Sequence, residues 1–165
     1  MLPPKLIMSP IDFSEHSQEA LNTAVDLASS FGAELCLVHI VPAIPKLPSA
    51  STIFHEAQYE RALHEDAQRR LDDMVRRVGH RGVAARAIVG TANDVSMELL
   101  RIAEHNNVDL IVIATHGMTG WRKLAFGSVT DKVVRLATSP VLVLRIQAEA
   151  EAHEPASKES VVSSD

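Results

Sequence analysis

The residues best suited to chemistry lie between Ile111 and Leu144. The apolar run Ile111-Val112-Ile113-Ala114 leads into Thr115-His116-Gly117. Nine residues further on, Gly127-Ser128 opens an amphipathic stretch that ends in a second apolar run, Val141 to Leu144. A strand, a glycine-bearing loop and a helix start in that order suit an anion. Glycine lets backbone N–H groups approach a phosphate closely, and the unpaired amides and positive dipole end of a helix attract negative charge. Ile113 and Ala114 would stand at the strand's carboxyl end, and Ser128, Val129 and Thr130 would supply first-turn amides and two hydroxyls. Blander readings stand beside these. Gly117 and Gly127 also serve as turn residues with no ligand, and Ser128 as a plain N-cap, since a cap and an anion contact need the same exposed helix end. His116 either donates to a phosphate or faces solvent. Arg122 and Lys123 either fold over the terminal phosphates or stay solvated on a surface loop.

Other chemistries lack their residues. There is no G-x-x-x-x-G-K-[ST] loop, and no G-x-G-x-x-G follows the first strand. No G-x-S-x-G elbow occurs, and Cys36 has no activating partner in sequence, so no nucleophile and base are legible. The His-x-Gly-His expected of a nucleotidyl-transferring enzyme is missing near the first helix, where His16 stands alone. The eight histidines show no H-x-x-x-H pairing, which argues against a dedicated transition-metal site. If ATP is hydrolysed, nothing obvious positions the attacking water, so slow turnover is the most to expect.

Composition sets the frame. A chain of 165 residues, 46% hydrophobic and 22% charged, suits one globular domain with a two-sided core. The formal charge of −5 is concentrated at the end. From Ala148 onward five acids (Glu149, Glu151, Glu154, Glu159, Asp165) face one base, Lys158, leaving a near-neutral body. That body has no basic face for nucleic acid. The single cysteine, Cys36, lies in an apolar strand and reads as a small core residue. No signal-like segment is seen and the apolar runs fall short of the ~20 residues that span a bilayer, so no membrane insertion and a cytoplasmic location are expected.

Short apolar runs alternate with helical periodicity, the pattern of β-α units on a parallel sheet. Strands are expected near residues 5–9, 34–40, 83–89, 110–114 and 141–144. Helices are expected near 17–31, 54–78, 93–105 and 128–137. Gly32 fits a left-handed helix C-terminus, Gly90 ends the third strand, and Thr91-x-x-Asp94 resembles a capping box. Asp12-x-x-Glu15 offers the same device to the first helix. Pro42, Pro45 and Pro48 exclude helix and central strand over 41–51, which reads as a loop or flap. Residues 1–146 form the domain. Beyond them the Ala-, Glu- and Ser-rich tail, 147–165, lacks the apolar residues to fold.

The glycine loop resembles that of the universal stress protein family, whose nucleotide-binding members carry Gly-x-x-Gly, nine residues, then Gly-Ser or Gly-Thr. Gly117 and Gly127-Ser128 match at that spacing, and Ala114 stands where the first glycine belongs. Lys5 to Ser14 resembles the family's first strand and acidic end, Leu35 to Val41 its second strand, and Ser139 to Leu144 its last. The resemblance implies a Rossmann-like α/β fold of the adenine nucleotide alpha hydrolase-like type: a doubly wound five-stranded parallel sheet, order 3-2-1-4-5, helices on both faces. Ligands on such sheets sit where strand order reverses, here between the first and fourth strands. It also implies ATP or AMP there, contacted by Asp12, with Pro10 and Ile11 near the adenine edge and Ile40 and Val41 as an apolar wall. Asp12 would meet Mg²⁺ or Mn²⁺ only through the nucleotide. A methyl group at Ala114 displaces a phosphate or ribose modestly if φ is negative and forbids the site if φ must be positive.

Two functions follow from the resemblance. One is a stress-response signalling module in which nucleotide biases the flap or the Met118 to Phe126 loop toward an unknown protein partner. The other is an interaction module that binds no nucleotide and docks on a transporter, kinase or channel. In the implied sheet order Val141, Leu142, Val143 and Leu144 lie on an edge strand apolar on both faces, which invites a homodimer.

Overall fold

The computed structural model describes residues 3–43, 50–115 and 127–145. Strands and helices alternate as β1 (Leu6–Pro10), α1 (Glu15–Phe31), β2 (Glu34–Pro42), α2 (Ala50–His80), β3 (Ala85–Ala92), α3 (Val95–His105), β4 (Leu110–Ala114), α4 (Ser128–Leu136) and β5 (Val141–Leu144). The strands form one sheet in the order β3-β2-β1-β4-β5, with every pairing parallel. This is the Rossmann-like α/β architecture that the resemblance implies.

Parallel strands covered on both faces become unbroken apolar runs, which is why Leu35-Cys36-Leu37-Val38 and Ile111-Val112-Ile113 carry no polar alternation. Two cores result. Ile7, Leu35, Leu37 and Val112 pack with Leu21, Val25 and Ala28 of α1 and Leu71, Met74 and Val78 of α2. On the other face Met8, Cys36, Val38, Ile111 and Ile113 pack with Leu99, Ile102 and Ala103 of α3 and Val133 of α4. Each fully buried Leu, Ile or Val side chain contributes about 1.5–3 kcal/mol relative to exposure. Burial also pushes the Cys36 thiol above its ordinary pKa, so it stays protonated and inert.

Several boundaries differ from those expected. Ser14 caps α1, which starts two residues early, and Asp94 itself, not Thr91, caps α3. β3 does not stop at Gly90 but runs to Ala92. A Cβ on Gly90 would lie 2.8 Å from Ile40 Cδ1, so the glycine answers to its cross-strand neighbour. β2 continues through Val41 and Pro42, and α2 begins at Ala50, so the expected loop 41–51 shrinks. Pro42 is tolerated because β1 pairs with β2 only as far as Val38. Alternation along β2 turns the missing N–H toward that vacated side, while Ala43 N–H still reaches the Ala92 carbonyl on β3. Pro45 and Pro48 lie outside the described residues, as does the tail 147–165.

Candidate functional site at the carboxyl ends of the first and fourth strands

Strand order reverses between β1 and β4, and the loops that leave these strands open on the same rim. After β1, Ile11 stays fastened to β2. Its N–H donates to the Val38 carbonyl at 2.8 Å, and its own carbonyl accepts from His39 Nδ1 at 2.7 Å. A carbonyl only accepts, so Nδ1 carries the proton. Ile11 is buried, which puts its side chain in the core and leaves the turn after it to face outward.

In that turn the Asp12 carboxylate accepts from the Ser14 N–H at 3.0 Å and from the Ser14 hydroxyl. The same hydroxyl accepts from Ser17 N–H at 3.2 Å and so caps α1. Asp12 therefore does not cap α1 directly, as Asp12-x-x-Glu15 suggested; it orients the residue that does. Between them Phe13 takes φ of 64°, left-handed backbone that costs a bulky side chain on the order of 1–3 kcal/mol. Its ring repays part of this. The Arg70 guanidinium of α2 lies 3.6 Å from the ring centroid, and the His39 ring packs at 4.5 Å. Desolvation lowers the His39 pKa and Arg70 lowers it further, while the bond to Ile11 and the Asp12 charge act the other way. His39 is accordingly neutral near pH 7.

The second loop closes differently. Thr115 N–H donates to the Leu144 carbonyl at 2.9 Å, its carbonyl accepts Gly127 N–H at 2.8 Å, and the buried Thr130 hydroxyl donates to the Ala114 carbonyl at 2.8 Å. The start of α4 is thus stitched to the end of β4. Gly127, not Ser128, holds the N-cap position, and glycine has no side chain to bond the first-turn amides. Its φ of −55° suits any residue. Glycine is needed for closeness, because a Cβ would sit 3.2 Å from the Thr115 carbonyl oxygen. Ser128 is exposed at the first helical position with Val129 half-buried beside it. Of the two hydroxyls expected to face an anion, that of Thr130 has its proton committed to β4. Ala114 sits in regular strand and is absent from the positive-φ residues, so its methyl group imposes no backbone strain.

Between the loops lies an apolar floor. Buried Ile40 and Ile113 and half-buried Val129 belong to one cluster, and buried Val41 and half-buried Pro10 stand at the same rim. Lys132 of α4 reaches Asp94 at the start of α3. With the Ser96 hydroxyl and Met97 N–H it holds that carboxyl well below the usual carboxylate range. His116, Gly117, Arg122 and Lys123, with the rest of the Met118 to Phe126 loop, lie outside the described residues. Among the described residues no cluster of His, Cys, Asp or Glu is arranged for a metal. Asp12 is a lone carboxylate that would need phosphates to complete a cation's shell.

A sequence model of the universal stress protein family matches residues 4–145. The chain belongs to that family. It is 30% identical over 141 residues to the universal stress protein YxiE of Bacillus subtilis, covering 82% of this chain and 95% of that one. The solved structure of MJ0577, a universal stress protein of Methanocaldococcus jannaschii, superposes with a TM-score of 0.78 at 26% identity, covering 90% and 99% of the two chains. The universal stress protein of Archaeoglobus fulgidus in complex with dAMP has the same fold, with a TM-score of 0.57 at 19% identity and coverage of 87% and 98%.

Within this fold the motif residues that are described converge: Pro10, Ile11 and Asp12 from β1, Ile40 and Val41 from β2, Ile113 and Ala114 from β4, and Gly127 to Thr130 from α4. Phe13, His39 and Arg70 were not anticipated. Phe13 gives no sign in sequence of its left-handed backbone, and Arg70 is one of many charged residues on α2 until the helix is docked. At the far edge, β5 pairs with β4 on one side only. Val141 and Val143 pack against the α3/α4 core and Leu144 against the other, so Leu142 is the exposed member of the expected interface. Among the described residues no helix is long and apolar enough to cross a membrane.

Proposed function

We propose that the protein binds an adenine nucleotide, ATP or AMP, across the carboxyl ends of β1 and β4 and acts as a nucleotide-dependent regulatory module of the stress response, in the cytoplasm. The observation that carries this reading is the start of α4, where glycine holds the N-cap position and brings no capping side chain of its own, with Ser128 exposed next to it. Phosphates belong on the first-turn amides and the Ser128 hydroxyl, with the helix dipole favouring their charge. The base lies against Ile40, Val41 and Ile113, and Asp12 faces the nucleotide from the opposite loop. Thr130 positions the helix through Ala114. His116, Gly117 and Arg122 are further candidate contacts by their place in the motif, and Mg²⁺ or Mn²⁺ arrives with the phosphates. The dAMP complex of the Archaeoglobus relative supports the choice of an adenine nucleotide.

The test is thermal unfolding with ATP or AMP, with and without Mg²⁺, together with analysis of nucleotide released from the purified protein. Ligand at ~100 times its dissociation constant adds about 2.7 kcal/mol to the folded state. No shift at millimolar ATP and no co-purified nucleotide would favour the partner-docking module instead. That module and the nucleotide-bound one share a homodimer, supported by the exposed Leu142 on the edge strand β5. Light scattering on the parent and on Leu142→Glu checks it, with a dimer expected for the first and a monomer for the second.

A further inference from the structure

The polar groups around Phe13 do more than fold a turn. Phe13 occupies left-handed backbone that few bulky residues adopt, so something outside the turn must hold it there. The contacts come from two other elements: Arg70 of α2 at 3.6 Å over the ring, and His39 of β2 at 4.5 Å. His39 also holds the Ile11 carbonyl, two residues before Phe13. The residue between those two anchored points is Asp12, and Asp12 in turn orients Ser14. The position of the Asp12 carboxylate therefore depends on a ring contact and a hydrogen bond, both made by His39.

We propose that Phe13, held by Arg70 and His39, is a positioning residue for the Asp12 side of the nucleotide site, and that protonation of His39 loosens this hold and weakens nucleotide binding. The proposal rests on the nucleotide reading of the site. The charged groups bearing on His39 come from α2, which brings Arg70, and from the β1–α1 loop, which brings Asp12. Its neighbours Ile11 and Val89, on the β1 side and on β3, bring none. A proton on His39 Nε2 keeps the Nδ1 bond to Ile11 but places a second cation beside the ring that Arg70 already occupies. Two cations gathered at one ring repel. The Arg70 contact yields, Phe13 loses the support of its left-handed backbone, and Asp12 moves with it. Neutral His39 is the binding form, so affinity is highest above the ordinary histidine pKa and falls as pH drops below it.

The experiment measures the dissociation constant of ATP between about pH 7.5 and pH 5.5 for the parent, His39→Asn, Arg70→Gln and Phe13→Gly, with circular dichroism to confirm folding. Asparagine at 39 keeps a donor near the Nδ1 position but does not titrate. Titration of the ATP phosphates is common to all four proteins and cancels when profiles are compared. The parent should lose more affinity toward acid than His39→Asn does, by less than about tenfold at pH 5.5, since burial lowers the His39 pKa below its ordinary value. Arg70→Gln should flatten the profile, since the repelling charge is gone. Phe13→Gly, for which φ of 64° carries no penalty, should fold yet bind several-fold more weakly at all pH. Parallel profiles for the parent and His39→Asn, or undiminished binding by Phe13→Gly, overturn the positioning role while leaving the nucleotide site intact. Absence of ATP binding to the parent at every pH overturns the nucleotide site and, with it, this role.

Discussion

The two loops that meet at the carboxyl ends of β1 and β4 are built in opposite ways. After β1 the polar groups satisfy one another: Asp12 holds Ser14, Ser14 caps α1, and His39 holds Ile11. After β4 the bonds run backward, from Gly127 and Thr130 to Thr115 and Ala114, and the N-cap of α4 is a glycine with no side chain to offer the first-turn amides. α3 belongs with α1, since Asp94 caps it and is itself held by Lys132. An anion gains little at a helix end whose donors are already met, and most where they are not. Under the proposed nucleotide reading, the β1 side would be a preset wall and the α4 side the seat for negative charge.

The sharpest way to break the comparison is Gly127→Val. Its φ and ψ are open to valine, so the fold should survive, but the branched side chain crowds the Thr115 carbonyl and covers the amides. ATP-induced stabilisation should fall by more than about 2 kcal/mol, at least about thirtyfold in affinity. If Gly127→Val binds ATP like the parent, the phosphates sit elsewhere. Thr130→Val comes next. It leaves the Ala114 carbonyl without its donor at a buried position, and denaturant unfolding should register a loss of about 1–3 kcal/mol. Nucleotide affinity should drop with it, because the seat is no longer stitched to β4. Ser14→Ala removes the cap of α1 and should cost about 1 kcal/mol in unfolding while leaving most of the phosphate affinity, if the β1 side is a wall only. Ala114→Gly has the smallest effect. Ala114 already lies in regular strand, so calorimetry should find ATP affinity equal to the parent or slightly higher, at a stability cost of about 0.5–1 kcal/mol. A gain of tenfold or more would mean that the methyl group obstructs the ligand after all.

Much of the fold was readable from alternating apolar runs and helical stripes, because burial on both faces of a parallel sheet leaves a strong mark on composition. The extents were less so. Gly90 looks like a strand end but sits in mid-strand, since its reason is the Ile40 side chain across the ladder. Pro42 looks like a breaker, yet its missing N–H falls where β1 has already ended. Caps slipped by one to three residues, at Ser14, Asp94 and Gly127, because neighbouring residues of similar chemistry compete for each helix start.

By itself the sequence determined the order of elements, the apolar faces and the spacing from Gly117 to Gly127-Ser128, all of which depend on local periodicity and on glycine's lack of a side chain. The sheet order came from family likeness, and the structure bears it out. The tertiary structure alone decided which hydroxyl remains for a ligand, spending that of Thr130 on Ala114 and leaving that of Ser128 exposed. It alone also joined Phe13, His39 and Arg70, from a loop, a strand and a helix far apart in the chain. Contacts of that kind leave no periodicity behind. They exist only once β2 and α2 are docked beside the end of β1, where burial and charge act between residues that the chain itself keeps separate.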